Sequence, residues 1–373
     1  MPNSFSKFFD ISKFSFLRED TSAIGIDIGS SNVKIVQLKH KRGQAVLETY
    51  GELALGVYGK ANIGQAVNLS VDEEVLALTD LFRESNITSR SAAIAIPLRS
   101  SLLKVIEIPA FSEHQINQIV PLEARKYIPV PVSEVALDWW VIPKQHLSSP
   151  DDMSAETTTN QPEKLEVLLV AIHQDTINKY ADLANKLKLP SPVFEVETFS
   201  AIRATVGHDI APIAILDLGA STSKLTIIDY GIVKVSHVIN KGGQDITHAL
   251  SASLGLTFDQ AEKKKRKEGL GVDTTQALMS STLEYIFYES SRVLLDFQRK
   301  YARLVPKVVL VGGGALLSGL LPLAQKTFQG EISIGHAFQK TEAPAFLKDV
   351  LEEAGPEFTI AIGLALRKLQ ETT

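Results

Sequence analysis

Two segments of this 373-residue chain repeat one pattern, and the duplication limits the possible folds more than any other feature of the sequence. Residues 23–38 read AIGIDIGSSNVKIVQL, and residues 213–228 read IAILDLGASTSKLTII. Each is an apolar strand ending in Asp-x-Gly, then a turn of small hydroxyl residues, then a second strand that opens with lysine. Such a repeat predicts two related halves. We expect the two turns to face each other and to bind one ligand between them.

Composition excludes several classes of function. The net charge of -5 provides no overall attraction to nucleic acid. The absence of cysteine excludes a disulfide scaffold and any thiolate site. The histidines do not cluster in the sequence, so no zinc site is predicted, and no G-x-x-x-x-G-K-[ST] motif is present. No apolar run is long enough to span a bilayer, and we expect no signal peptide.

The order of the predicted elements indicates an α/β fold made of two similar halves. In the first half, three strands precede a helix near 71–83 and a strand at 92–96, and the second half repeats this plan up to a strand at 307–311. A segment between the halves has no counterpart. The predicted organisation is an N-terminal arm at 1–20, a first domain at 21–96 and 356–373, an inserted subdomain at 97–173 with a disordered loop at 146–164, the end of the first domain and a hinge at 174–211, and a second domain at 212–355.

Three of these segments lead to further expectations. The arm interleaves phenylalanine with basic residues, which fits either an amphipathic anchor or a short arm, and its thin basic face favours the arm. Within the insert we predict a helix at 113–127, ended by the prolines of I-P-V-P, and strands at 135–141 and 165–172. A helix at 356–369 contains Gly363, and an interior glycine predicts close packing at a hinge.

The two turns have the chemistry of a phosphate site. Gly29 permits close approach of a phosphate, successive backbone N–H groups form an anion nest, and the first strand after the turn carries Lys34. Asp27 would repel phosphate, so we expect it to hold Mg²⁺ through water, with Asp217 as its counterpart. Either turn alone also fits an ordinary hairpin. The remaining predicted turn residues are Ser30, Ser31 and Asn32 in the first half and Gly219, Ala220, Ser221, Thr222 and Ser223 in the second.

Three more motifs extend the predicted site. Gly242 and Gly243 precede a helix and suit a phosphate or a ribose, or else a plain turn with an N-cap. Glu262 and Lys265 lie one helical turn apart and would flank a ligand, although the surrounding K-K-K-R-K run fits a solvated face. The glycine run after the strand at 307–311 would let an adenine lie against bare backbone, or serve as a packing turn; its residues are Gly312, Gly313 and Gly314.

Hydrolysis requires a group that orients water. The best candidate is Glu197, where the insert returns to the second half, and Glu195 is the next. Position alone supports this assignment, and a structural carboxylate fits equally well.

Taken together, these motifs resemble those of the actin superfamily, with a ribonuclease H-like fold and a nucleotide cleft between its domains. Asp27 and Asp217 fall in the two phosphate motifs, and the run from Gly312 to Ser318 is similar to the adenosine motif. Within the superfamily, residues 123–138 and 355–367 resemble the PilM family of type IV pilus assembly. Val130 departs from the phenylalanine that is usual in the insert motif.

This resemblance implies ATP and Mg²⁺ in the cleft, with weak or absent ATPase activity. It also implies a partner, the N-terminal cytoplasmic peptide of a PilN-like membrane protein, in a groove that we place near Ile128–Leu137, and a cytoplasmic location at the inner membrane. Two alternatives stay open. One is a filament-forming ATPase like FtsA or MreB, and the other is a sugar kinase, for which the sequence shows no acceptor-site signature.

Overall fold

The computed structural model describes residues 21–110, 112–143, 164–207, 209–271 and 273–372. The predicted N-terminal arm and residues 146–163 of the predicted loop lie outside the described residues. Lys164, which was assigned to that loop, begins a strand instead.

Within the described residues the chain forms thirteen strands and ten helices. The strands are β1 (Ser22–Ile28), β2 (Asn32–Lys41), β3 (Gln44–Ala54), β4 (Ala92–Ile96), β5 (Ser101–Pro109), β6 (Val135–Val141), β7 (Lys164–His173), β8 (Val193–Val196), β9 (Ile213–Leu218), β10 (Ser223–Asp229), β11 (Ile232–Ile239), β12 (Lys307–Val311) and β13 (Glu331–Ile334). The helices are α1 (Val71–Glu84), α2 (Glu113–Ala124), α3 (Gln174–Lys186), α4 (Glu197–Thr205), α5 (Gly243–Leu254), α6 (Phe258–Glu268), α7 (Asp273–Tyr301), α8 (Leu320–Thr327), α9 (Lys348–Ala354) and α10 (Thr359–Thr372).

Two five-stranded sheets share one topology, which confirms the duplication predicted from the repeat. Their strand orders are β3-β2-β1-β4-β8 and β11-β10-β9-β12-β13. In each sheet the central hairpin is antiparallel, and the two outer strands that follow are parallel to its first strand. The registers also agree, because Asp27 lies opposite Lys34 and Asp217 lies opposite Lys224. The α/β class and the actin-like architecture are therefore correct.

Helices cover both faces of the first sheet. Residues of β1 such as Ile24 and Ile26 are fully buried against apolar side chains of α1 and α3. Helix α1 begins at a capping box in which Ser70 and Glu73 exchange hydrogen bonds. On the opposite face, Ala23 and Val36 pack against α10. Burial on both faces explains why β1 and β4 read as continuous apolar runs.

Helix α10 packs unusually close to its neighbours. A Cβ atom on Gly25 of β1 would lie 1.9 Å from the carbonyl oxygen of Ala361, and a Cβ atom on Gly363 would lie 2.0 Å from the carbonyl oxygen of Ser200 in α4. Glycine is thus required at both contacts. This confirms that Gly363 marks a site of close helix packing.

The insert forms an antiparallel sheet in the order β5-β7-β6, with α2 packed on one face. Strand β5 is absent from our sequence prediction; its residues Leu103, Ile106 and Ile108 are buried, whereas Lys104 and Glu107 point outward. Helix α2 ends at Ala124, three residues before the predicted end, and the next N–H groups make shorter i→i−3 bonds as the proline segment approaches.

The other face of the insert packs on the second half of the molecule. Leu103 and Leu168 share a buried cluster with Ile232 and Val233 of β11. An ion pair between Lys234 and Glu166 and a second at 3.4 Å between Lys300 and Glu107 lie along the same boundary. The insert is therefore attached to both halves. No helix in the described ranges has the length and apolar character needed to cross a membrane.

Candidate functional site

A cavity of about 410 Å³ lies between the two five-stranded sheets. Every site residue predicted from the sequence lines it except Ser318 and the second carboxylate candidate, Glu195. The predicted residues that it brings together are Asp27, Gly29, Ser30, Ser31, Asn32, Lys34, Glu197, Asp217, Gly219, Ala220, Ser221, Thr222, Ser223, Gly242, Gly243, Glu262, Lys265, Gly312, Gly313 and Gly314.

The two turns have the same backbone geometry. The N–H of Gly29 donates to the carbonyl of Asn32 at 3.0 Å, and the N–H of Gly219 donates to the carbonyl of Thr222 at 3.1 Å. A Cβ atom on Gly29 would lie 2.8 Å from the Asn32 carbonyl oxygen, and a Cβ atom on Gly219 would lie 2.7 Å from the Thr222 carbonyl oxygen. Each turn therefore needs glycine, and the two present equivalent backbone surfaces to one cavity.

The two lysines that follow the turns have different partners. Lys34 pairs with Glu52 at 3.0 Å and lies 3.8 Å from a Glu357 carboxylate oxygen. Lys224, which our prediction of site residues omitted, pairs with Glu197 at 2.8 Å and with Asp217 at 3.1 Å. Lys34 was predicted to reach phosphate oxygens, but here its charge is already balanced by carboxylates at the rim.

Carboxylates concentrate around the first turn. The pKa of Asp27 is raised to about 7, mainly by burial and also by the charges of Glu197 and Asp217, while the charges of Lys34 and Lys224 act to lower it. A carboxylate with these surroundings is poised to take up a cation, because a positive charge would stabilise its ionised form. In the ranges that the structure describes, no group of three or more His, Cys, Asp or Glu side chains is arranged to hold a metal ion directly.

Glu197 connects the two halves across the floor of the cavity. It is the first residue of α4, one oxygen accepts the Leu98 N–H at 2.6 Å, and the other accepts from Lys224 at 2.8 Å. Both oxygens are thus engaged, and its predicted role in orienting water remains a prediction. The second candidate, Glu195, lies outside the cavity lining and is buried in an ion pair with Arg203.

The Gly242–Gly243 turn supports the second phosphate turn rather than offering free donors. The N–H of Gly243 donates to the Gly219 carbonyl, and the N–H of Gln244 donates to the Ala220 carbonyl, both at 2.9 Å. A Cβ atom on Gly242 would lie 2.5 Å from the Ala220 oxygen. These amides at the start of α5 were expected to face a phosphate or a ribose, and the contacts show that they fix the turn.

Glu262 and Lys265 form the core of a polar network on α6. They are joined at 2.6 Å, and Glu262 also accepts from Thr247 at 2.6 Å and from Arg266 at 2.7 Å. Lys265 and Glu262 are buried, whereas Lys263 is exposed and pairs with Asp259. The basic run is therefore divided: one face is solvated, and the other lines the cavity.

The glycine run after β12 forms the end of the cavity next to an apolar wall. Gly312 has a φ of 82°, and a Cβ atom there would lie 2.3 Å from an Asp217 oxygen. The wall consists of Ile246, Leu283, Ile286, Leu316 and Leu317. Ser318, which was predicted to belong to this motif, does not line the cavity, and its carbonyl accepts the Leu270 N–H at 2.8 Å.

Several cavity residues were missed from the sequence. Lys224 had a readable signal, since it matches Lys34 in the repeat. Arg266 also had one, since it follows Lys265 on α6 and lies four residues after Glu262. Arg99 and Glu357 had none, because they come from separate segments that only the tertiary fold brings to the cavity.

A loop from the first half crosses to the second half beside the cavity; we call residues 55–67 the crossing loop. Its two ends are fixed to the first turn, because the Leu55 N–H donates to the Ser31 carbonyl at 2.8 Å and the Val67 N–H donates to the Ser30 carbonyl at 2.9 Å. Beside its second end, the Ala66 N–H donates to the Gln244 side chain of α5 at 3.1 Å.

Comparison with solved structures supports the actin-like fold. The structure described as "PilM-PilN type IV pilus biogenesis complex" superposes with a TM-score of 0.76 at 23% identity, covering 94% of this chain and 99% of that one. Ethanolamine utilization protein EutJ from Carboxydothermus hydrogenoformans gives a TM-score of 0.52 at 13% identity, with 94% and 91% covered.

Sequence comparison identifies the family. Cell division protein FtsA of Bacillus subtilis (strain 168) is 20% identical over 353 residues, which covers 83% of this chain and 78% of that protein. FtsA of Enterococcus faecalis is 22% identical over 362 residues, with the same coverage. The family model described as "Type IV pilus assembly protein PilM" matches residues 25–369. This match confirms the resemblance seen in the insert and the C-terminal helix, and the chain belongs to the PilM family of type IV pilus assembly proteins.

Proposed function

We propose that this chain binds ATP with Mg²⁺ in the cavity and acts as a nucleotide-binding scaffold in type IV pilus assembly. The observation that carries the proposal is the pair of equivalent glycine turns, Gly29–Asn32 and Gly219–Thr222, on opposite sides of one cavity. Two such turns supply backbone donors and hydroxyl groups to a chain of phosphates from both sides. The apolar wall beside Gly312–Gly314 suits the flat face of an adenine.

The residues present also fit a magnesium ion. Asp27 is buried with its pKa raised, so an adjacent divalent cation would stabilise its charge. Asp217 is bound to Lys224, so we assign it the weaker contribution. When bound, magnesium would neutralise phosphate charge, while this chain's own residues position the phosphates.

The hydrogen bonds that Glu197 accepts fit a scaffold with little or no ATPase activity. A general base needs an oxygen directed at the attacking water. Here one oxygen of Glu197 accepts from the Leu98 N–H and the other accepts from Lys224. We therefore propose that Glu197 mainly holds the two halves in register.

The nucleotide proposal predicts a thermal shift. ATP with Mg²⁺ at about 100 times its Kd should stabilise the folded chain by about 2.7 kcal/mol and raise the melting temperature by several degrees. Asp27→Ala should remove most of that shift, and Asp217→Ala should remove a smaller part of it, because the Asp217 carboxylate is already paired with Lys224. Differential scanning fluorimetry with and without nucleotide measures this directly.

Asp296→Ala is the matched control, since that carboxylate is 66% exposed on α7 and outside the cavity lining. It should retain the full shift. A wild-type melting temperature that ATP and Mg²⁺ leave unchanged would contradict the proposal.

We further propose that the insert binds the N-terminal cytoplasmic peptide of a PilN-like membrane protein, which would place the chain at the cytoplasmic side of the inner membrane. The similar solved structure is described as a PilM–PilN complex. In this chain, Val130, Val132 and Leu137 are half-buried beside the core of the insert. Strand β6 pairs only with β7 among the described strands, so its outer edge can accept an added strand.

This proposal predicts that Val132→Asp weakens the peptide at least about tenfold, because a charge would be desolvated in the contact. Isothermal titration with the synthetic peptide measures the change in Kd. Val350→Asp introduces the same change on α9, where the side chain is 51% exposed, and should leave binding intact. Equal affinities for the two variants would refute the proposed groove.

The similarity to FtsA favours one alternative function, that of a filament-forming ATPase. Sedimentation with ATP and Mg²⁺ separates the two functions, since filaments pellet and a scaffold stays in the supernatant.

A further inference from the structure

One cationic side chain of the cavity differs from the rest. Five cationic side chains line it, and four have a carboxylate partner: Lys34 with Glu52, Lys224 with Asp217, and both Lys265 and Arg266 with Glu262. Arg99 is exposed and, within the described part of the chain, has no carboxylate at ion-pair distance. Its charge is thus available to an anionic ligand.

The fold places Arg99 at the phosphate end of the cavity. It lies in the short turn Leu98–Ser100 between β4 and β5. Because β4 runs parallel to β1, this turn emerges at the same sheet edge as Asp27 and Gly29. The neighbouring Leu98 N–H is bonded to Glu197, which also holds Lys224 beside the second turn. The backbone at Arg99 is therefore held in place, whereas its exposed side chain can rotate.

On the basis of the proposed ATP site, we propose that Arg99 binds the terminal phosphate of a bound nucleoside triphosphate. A guanidinium offers paired N–H donors that match phosphate oxygens, and it stays charged at all working pH values. The glycine run Gly312–Gly314, assigned to the adenosine, belongs to the other sheet, whereas Arg99 emerges at the edge of the first sheet that carries Asp27 and Gly29.

This contact would also connect the nucleotide to the insert. Strand β5 begins at Ser101, two residues after Arg99, and it forms one edge of the insert sheet. A phosphate held by Arg99 would fix the start of β5, and its loss would release that constraint.

The test compares ATP with ADP, both with Mg²⁺, by isothermal titration calorimetry. Arg99→Ala should raise the Kd for ATP about tenfold and change the Kd for ADP less than twofold, since only ATP carries the terminal phosphate. Arg99→Lys should fall between, because an ammonium keeps the charge without the paired geometry. Arg299→Ala, which removes an 80% exposed arginine on α7, should change neither.

The outcomes separate the two proposals. Wild-type chain that binds neither nucleotide refutes the ATP site and this inference with it. Wild-type chain that binds ATP while Arg99→Ala binds it equally well refutes the inference alone. An equal loss of ATP and ADP affinity also overturns it, because Arg99 would then act on a phosphate that both ligands share. Equal melting temperatures of the ligand-free proteins confirm that the variants are folded.

Discussion

Gly25→Ala is expected to destabilise the folded chain by about 3 kcal/mol or more. The added methyl carbon would lie 1.9 Å from the Ala361 carbonyl oxygen and 2.5 Å from the Ala365 nitrogen. Both obstacles are backbone atoms of α10, so no rotamer change relieves the overlap. Either β1 or α10 must move, and each is fully buried along this contact. Urea unfolding followed by circular dichroism measures the loss as a lower midpoint.

The control is Gly271→Ala. There the nearest atom to an added Cβ lies at 3.5 Å, an ordinary contact distance. This variant should unfold at nearly the wild-type urea concentration. If Gly25→Ala did the same, the close approach of α10 to β1 would be wrong.

Glu195→Ala is expected to lower the free energy of unfolding by about 3–5 kcal/mol, because it leaves the largely buried charge of Arg203 without its carboxylate partner. The Glu195 side chain is fully buried and accepts two hydrogen bonds from Arg203 at 2.7 and 2.8 Å and one from Ser200 at 2.6 Å. Arg203 also donates to the Gly363 carbonyl, so the pair fastens α4 to α10. Thermal and urea unfolding of the variant should both shift to lower midpoints.

Two further variants separate charge from shape. Glu195→Gln keeps the volume and one acceptor oxygen, so it should lose less stability than the alanine variant. Asp296→Ala removes a carboxylate that is 66% exposed and lies 3.8 Å from Arg299 on the same helix. Exposed pairs contribute little, so this loss should be about 1 kcal/mol or less. A Glu195→Ala loss no larger than that of Asp296→Ala would argue against a buried ion pair.

The strands whose limits the sequence predicted best are those that are followed directly by proline or glycine. The observed limits of β4 and β12 match the prediction because Pro97 ends one and Gly312 ends the other. Strand β5 was missed because it begins four residues after Pro97 and its buried residues do not follow one simple alternation, since Leu103 packs on one face of the strand and Ile106 and Ile108 pack on the other. Local signals thus define elements well, but they do not say how soon the next one begins.

In the site, the turn residues could be predicted from local sequence, whereas their ion-pair partners could not. Turn chemistry is local, so Gly29 and Gly219 could be assigned from the repeat. Ion-pair partners are not local: Glu52 reaches Lys34 only through the register of β2 and β3, and Glu357 arrives from the far end of the chain. The same reasoning applies to Ser318, whose carbonyl accepts the Leu270 N–H through a contact that no spacing rule encodes. The domain boundaries and the roles of the site residues remain predictions.

The crossing loop has a consequence for how fast a ligand can leave the cavity. Its two ends are bonded to the carbonyls of Ser31 and Ser30, and Ala66, beside the second end, is bonded to Gln244 of the opposite half. A motion that separates the halves here would break the Ala66–Gln244 bond or pull on the first turn. We therefore expect a change at Gln244 to alter the dissociation rate of a bound molecule without touching that molecule.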